Sequence, residues 1–147
     1  MRTSKHKTHY KKQSGFTLIE VMVVIVILGV LAALIVPNVM GRGEKAKVDT
    51  TKITLTSVAN ALDQYKLDNG RYPSTQDGGL DALIKQPASA KNWMQGGYIK
   101  GNYPTDSWDN DLQYVIPGSE GRAFDLFSFG ADGKQGGDGN DADIYYQ

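Results

Sequence analysis

The sequence contains no cysteine. Disulfides, thiolate metal sites and cysteine nucleophiles are therefore excluded. Histidine is nearly absent too: His6 and His9 are the only two, and both precede Tyr10. Once that stretch is removed, imidazole acid–base chemistry and Ser-His nucleophile pairs go with it. Aspartate is plentiful, but no two carboxylates stand out as a catalytic pair. No phosphate-binding glycine loop opens a helix, and there is no internal repeat. These absences point away from an enzyme.

Acidic residues are missing from positions 1–14, where Arg2, Lys5, Lys7, Lys11 and Lys12 supply five positive charges. The whole chain of 147 residues has 16 basic and 16 acidic side chains and is formally neutral, so the remainder carries about −5. Neutrality here is a basic head cancelling an acidic body, and such asymmetry says more than the sum. A chain of this length holds one modest domain with an appended segment.

Charge is also missing from Phe16–Val36, "FTLIEVMVVIVILGVLAALIV", apart from Glu20. As a helix this run is about 31 Å long at about 1.5 Å per residue, which matches a bilayer core of about 30 Å. The basic flank before it predicts a cytoplasmic N-terminus, with the rest of the chain across the membrane. A buried soluble helix of this length needs a larger protein around it. A secretory signal has a shorter apolar core and a small-residue cleavage site before a polar start. Here Ala32-Ala33 is followed by more apolar residues, so the segment is expected to be retained.

Glu20 is costly inside such a run, by about 2.5–3.5 kcal/mol at membrane depth and less near the interface. Two explanations stay open from position alone: a hydrated carboxylate at headgroup level, or a functional charge whose partner comes from another chain or from a newly made amine. The string "KKQSGFTLIEVMVVIVILGVLAALIVP" resembles the signal of type IV pilins and type II secretion pseudopilins. Its marks are Gly15, Phe16 and Glu20 as the fifth residue after the glycine. The resemblance implies cleavage by a prepilin peptidase between Gly15 and Phe16, then N-methylation of Phe16. It also implies that Glu20 neutralises the terminal amine of a neighbouring Phe16 during filament assembly. A buried charge is tolerable when paired in this way.

Beyond the apolar run, Pro37 predicts a kink or local opening, and Gly41 and Gly43 weaken the helix by about 1 kcal/mol each. Val48, Leu55, Val58, Leu62 and Tyr65 then form one amphipathic stripe. It predicts a helix that packs on a globular domain and stops at Asn69-Gly70. Residues 71–111 look loop-like, with turn signals at Tyr72-Pro73, Gly78-Gly79, Gly96-Gly97 and Tyr103-Pro104 and a short helix around Leu80–Lys85. "LQYVI" at 112–116 and "AFDLFSF" at 123–129 flank "PGSEGR" and read as an antiparallel hairpin. In the second of these, both faces are expected to be partly covered.

The C-terminal "FGADGKQGGDGNDADIYYQ" mixes glycine with Asp132, Asp138, Asp141 and Asp143. The residues alone leave open a solvated acidic tail or a cation loop, since calcium takes six to eight oxygens including carbonyls. The spacing is not that of an EF-hand. Ile144, Tyr145 and Tyr146 offer an anchor to a core.

A second resemblance bears on this choice. "YPTDSWDNDLQY", with Tyr103, Pro104, Asp106, Trp108 and Tyr114, is similar to a stretch of the type II secretion major pseudopilins. So is "SFGADG", with Ser128, Gly130, Ala131, Asp132 and Gly133, and so is "NGRYPSTQDGGLDALI" at 69–84. The likeness runs from residue 15 through nearly the whole chain. It departs where Ser107, Asp109 and Asp111 replace residues that are commonly proline and glycine.

The resemblance implies an α+β, type IV pilin-like fold: a long N-terminal helix, its first half transmembrane, on a small antiparallel sheet with a C-terminal calcium loop. The implied organisation is a cleaved leader (1–15), an assembly helix (16–36), its amphipathic continuation (37–69) and a periplasmic globular region (70–147). Implied Ca2+ ligands are the side chains of Asp132, Asp141 and Asp138 and the backbone oxygens of Phe129 and Lys134. The implied role is a structural subunit of a filament that grows from the inner membrane and helps to export folded proteins. Its partners would be further copies of itself, minor pseudopilins, the inner-membrane assembly platform and the prepilin peptidase, with no nucleic acid. A type IV pilus subunit and a non-polymerising, membrane-anchored calcium module are the alternatives. The lack of cysteine counts against the former, whose members often close a C-terminal loop with a disulfide.

Overall fold

The computed structural model describes residues 15–147, with the side chains of 36–40 left aside. The basic leader at 1–14 lies outside the described residues, as does any side-chain effect of Pro37. The chain divides into two compact units that meet between Met40 and Gly41.

One helix, α1, covers Leu18–Asn69. It is assigned without interruption across Pro37, Gly41 and Gly43, so the break expected there does not end the helix. In the first unit α1 carries the apolar run, and none of Leu18–Ile35 is buried. Each Val, Leu or Ile taken out of water is worth about 1.5–3 kcal/mol. A run of this length therefore demands a cover: lipid, or other chains.

In the second unit α1 is amphipathic in the way the spacing predicts. Leu55, Val58, Leu62 and Tyr65 are buried, and Val48 packs against them. Thr51, Ala59 and Ala61 fill the rest of the same face. The helix stops where Gly70 takes a left-handed conformation (φ 77°) and its N–H donates to Lys66 O at 2.7 Å. That is the backbone geometry a helix C-terminus asks of glycine.

The sheet has three short antiparallel strands: β1 (Gln113–Val115), β2 (Asp125–Ser128) and β3 (Ile144–Tyr145), in the order β1-β2-β3. The hairpin β1–β2 pairs Tyr114 with Leu126, and β2–β3 pairs Ser128 with Ile144. Leu126 and Ser128 point inward, while Asp125 and Phe127 are half-buried, so both faces of β2 are partly covered. Leu112, Leu126 and Ile144 close the core with Leu80, Ala82 and Leu83. The latter three sit on a 3₁₀ turn, Gly79–Leu83, where a short helix at 80–85 was expected.

Residues 71–111 contain no α-helix or named strand. Their order comes from side chains that satisfy the backbone, as irregular segments require. Ser74 and Asp77 form a reciprocal capping box. Arg71 Nη1 lies 2.5 Å from Asp77 Oδ2, and the Ser89 hydroxyl also donates to Asp77. Trp93 Nε1 donates to Ala82 O at 2.8 Å, and the Tyr98 hydroxyl donates to Asp68 Oδ2 at 2.8 Å.

Candidate assembly and ion-binding sites

Gly15, Phe16 and Thr17 precede α1 outside any helix or strand, and Phe16 is 88% exposed. Glu20 sits on the first turn. Its carboxylate accepts from the Thr17 N–H at 3.1 Å and from the Thr17 hydroxyl at 3.4 Å, while Glu20 N–H donates to Thr17 Oγ1 at 3.3 Å. This is a capping box, in which an N-cap threonine and a glutamate three residues on satisfy two otherwise orphaned donors. The string Thr17-Leu18-Ile19-Glu20 carries the sequence signature of such a box. Within one chain Glu20 therefore has a local role. Phe16 is not among its hydrogen-bond partners in the described residues.

A second constellation lies between the loop at 105–111, β2 and α1. Asp106 is only 5% exposed. Its Oδ1 accepts from the N–H groups of Trp108 and Asn110, both at 2.9 Å, and its Oδ2 accepts from the Ser128 hydroxyl at 2.5 Å. A buried carboxylate is tolerated only when it is this fully satisfied. Asn110 Nδ2 donates onward to Gly130 O at 2.9 Å, at the entrance of the C-terminal loop.

On the other side, Ser107 N–H donates to Thr51 Oγ1 at 3.2 Å, and Trp108 Nε1 donates to Glu44 Oε2 at 3.1 Å. The loop thus joins α1 to β2 and to the C-terminal loop. Two of the departures noted in the sequence have consequences here. Ser107 gains a bond to the helix. Asp109 takes the left-handed backbone conformation (φ 65°) that favours glycine.

The C-terminal loop follows β2 and closes on itself: Ala131 N–H donates to Asn140 O at 2.9 Å. At Gly137 (φ 90°) a Cβ would stand 2.5 Å from Asp141 O, so only glycine allows the two stretches to approach so closely. Asp132 Oδ1 accepts from Lys134 N–H and Asp143 Oδ1 from Gly136 N–H, each at 3.0 Å. The five expected ligand positions, Phe129, Asp132, Lys134, Asp138 and Asp141, all lie at the mouth of this loop or on it. Among the described residues no three acidic side chains gather around one point. The donor set is entirely hard oxygen. The loop fits calcium only in the form that uses at most two carboxylates and fills the remaining positions with carbonyls and water.

Two marked electrostatic perturbations sit elsewhere and have structural causes. The hydrogen bond from Arg71, with further bonds from Ser89 and Ser74, holds the Asp77 carboxyl well below the usual carboxylate range. The Tyr72 hydroxyl is pushed up to about 12, first by its bond to Asp63 and then by burial. Neither group lies beside the C-terminal loop or the N-terminal segment.

Comparison with known proteins covers both units. The family described as Type II secretion system (T2SS), protein G, matches residues 38–147. The prokaryotic N-terminal methylation motif matches residues 10–36. Type II secretion system core protein G of Pseudomonas aeruginosa is 58% identical over 137 residues, covering 91% of this chain and 94% of that protein. Its counterpart in Vibrio cholerae is 52% identical over 136 residues, covering 91% of each. The crystal structure of the major pseudopilin from the type 2 secretion system of enterohaemorrhagic Escherichia coli superposes with a TM-score of 0.60 at 38% identity. It covers 74% of this chain and 93% of that one.

Proposed function

The chain belongs to the type II secretion system protein G family, and on that premise we infer that it is a structural subunit of the pseudopilus. The observation that carries this is the pairing of a self-sufficient domain with an apolar helical run of which nothing is buried. A run like that is finished only by lipid or by neighbouring copies. Before assembly it anchors the chain in the inner membrane, with the basic leader on the cytoplasmic side and the acidic domain in the periplasm. Afterwards the helices pack side by side as a filament that helps to move folded proteins through the outer membrane. Minor pseudopilins, the assembly platform and the prepilin peptidase are its partners.

Processing falls between Gly15 and Phe16, where both residues are exposed and lie outside α1. The new amine of Phe16 is methylated. In the filament, the Glu20 carboxylate exchanges its capping contact with Thr17 for the Phe16 amine of a neighbour. The direct test is complementation. The gene should restore secretion in a Pseudomonas aeruginosa strain lacking its own core protein G, and mass spectrometry should find methylated Phe16 as the mature start. Failure to assemble or to secrete there would overturn the inference.

The C-terminal loop takes one calcium ion, held by Asp132 with Asp138 or Asp141 and by the carbonyls of Phe129 and Lys134. Bound calcium would staple the loop in place of a disulfide. Chelator should then lower the melting temperature of the domain, and Asp132→Ala should remove that sensitivity. A chelator-insensitive wild type would leave the loop an acidic turn and no more. Stabilisation grows with free calcium over the dissociation constant, so the melting temperature should rise with added calcium.

A further inference from the structure

The network around Asp106 does more than satisfy a buried carboxylate. It grips the C-terminal loop at two successive peptide planes. Ser128 is fully buried, and its hydroxyl donates to Asp106 Oδ2 at 2.5 Å. With its proton committed there, the same oxygen accepts from the Gly130 N–H at 3.0 Å. The carbonyl and N–H of a planar trans peptide point in opposite directions, so this bond turns the Phe129 carbonyl away from the Ser128 hydroxyl. The next peptide plane is fixed as well. Gly130 O accepts from Asn110 Nδ2 at 2.9 Å, and Ala131 N–H donates to Asn140 O at 2.9 Å. Asn110 is in turn held by Asp106, whose Oδ1 accepts its backbone N–H at 2.9 Å. The fit is close. At Gly133 (φ 65°) a Cβ would stand 2.9 Å from Asn110 Oδ1, and at Gly130 (φ 74°) it would stand 2.7 Å from Ala142 O. Only glycine at both positions lets the turn sit against Asn110 and against the returning stretch 140–142.

We propose that Asp106, acting through Ser128 and Asn110, is the positioning residue for the cation-binding turn at 129–134. This role rests on the calcium reading of the loop and concerns groups that do not touch the ion. Phe129, Asp132 and Lys134, three of the five expected ligand positions, lie on this turn. Carbonyls that are not held in advance must be ordered when the ion binds, and that ordering costs affinity. Here one buried carboxylate outside the loop sets the direction of the Phe129 carbonyl and the seat of the turn that carries the other two positions. Asp106 is itself unsuited to be a ligand: it is 5% exposed, and its oxygens are taken by three donors. Hydrogen bonds made behind a ligand matter in their own right, and their loss weakens metal binding about 10–100-fold.

The test is calcium titration of the full chain in mild detergent by calorimetry, with melting temperatures taken in chelator and in excess calcium. Asn110→Ala removes the bond to Gly130 O, and Asp106→Asn leaves one acceptor oxygen where two are used. Each should weaken calcium binding by about tenfold or more and shrink the rise in melting temperature that calcium brings. Asn110→Asp is the sharpest variant. It keeps the shape, loses the donor and adds a carboxylate beside the loop. Charge alone would tighten binding, whereas lost positioning weakens it. Arg71→Ala controls for general loosening. It should lower the melting temperature in chelator yet leave the dissociation constant within about twofold, because remote sites act independently. Tighter binding by Asn110→Asp, unchanged binding by Asn110→Ala and Asp106→Asn, or equal weakening by Arg71→Ala would each overturn the positioning role and leave the calcium reading standing. A wild-type chain that takes up no calcium would overturn both.

Discussion

The two units of this chain solve the hydrophobic problem in opposite ways. From Gly41 onward, apolar residues alternate with polar ones at helical and strand periods, and the domain covers one stripe of them itself: Leu62 and Tyr65 have no exposed surface. From Leu18 to Ile35 the apolar residues are continuous, and none of the window is buried. Similar residue types thus serve two ends. Where polarity alternates, burial happens within the chain; where it does not, burial is left to the surroundings. The same contrast separates the carboxylates. Asp106 is satisfied by three of the domain's own donors, whereas among the described residues Glu20 holds only its helix cap.

The largest effect expected from this contrast is on stability. Leu62→Ala should cost about 2–5 kcal/mol, as buried leucine truncations do, whereas Val26→Ala should stay within about 0.5 kcal/mol. Urea titration of the full chain in mild detergent, followed by tryptophan fluorescence, reads both. Equal effects at the two sites would erase the distinction between the units.

A smaller loss is expected at Asp106. Alanine there strands the Ser128 hydroxyl and two backbone N–H groups, each costing about 1–3 kcal/mol when buried without a partner. We expect about 3 kcal/mol overall. Asp106→Asn keeps one acceptor oxygen and should cost less, by the same titration. If alanine and asparagine behave alike, the hydrogen bonds are not what holds the loop.

The smallest effect is seen through pH. Asp77 has its folded pKa lowered, so the unfolded chain binds the proton more readily. Its contribution is fully present above the ordinary carboxylate pKa of about 4 and is lost as pH falls further below it. Arg71→Ala removes the first cause of the lowering. The variant should therefore be less stable at pH 7 and lose less on going from pH 5 to pH 2. Melting temperatures across that range check it; parallel curves would contradict it.

Much of this was legible in the residues. The five stripe positions from Val48 to Tyr65 name the helix's packed face, Asn69-Gly70 marks its end, and "PGSEGR" separates two strands that do pair. What was not legible has physical reasons. β3 has two residues, too few for any period to show. Thr51 and Asp106 are buried, yet each looks like a surface residue until its distant partners are known. Pro37 falls inside one helix, Leu18–Asn69, that runs through it to the stop expected at Asn69-Gly70. The acidic loop could be recognised by composition, but the way it folds back on itself depends on contacts such as Gly130 with Asn110 that no local pattern encodes.

The central claim is that Glu20 supplies a charge to a neighbouring chain beyond capping its own helix. Glutamine separates the two roles, because it can serve as the third residue of a capping box but cannot neutralise an amine. Filaments sheared from cells expressing Glu20→Gln should be reduced at least tenfold, as with Glu20→Leu, while the membrane-inserted subunit remains at wild-type level. Wild-type filament yield from Glu20→Gln would contradict the account and leave the cap as the residue's whole function.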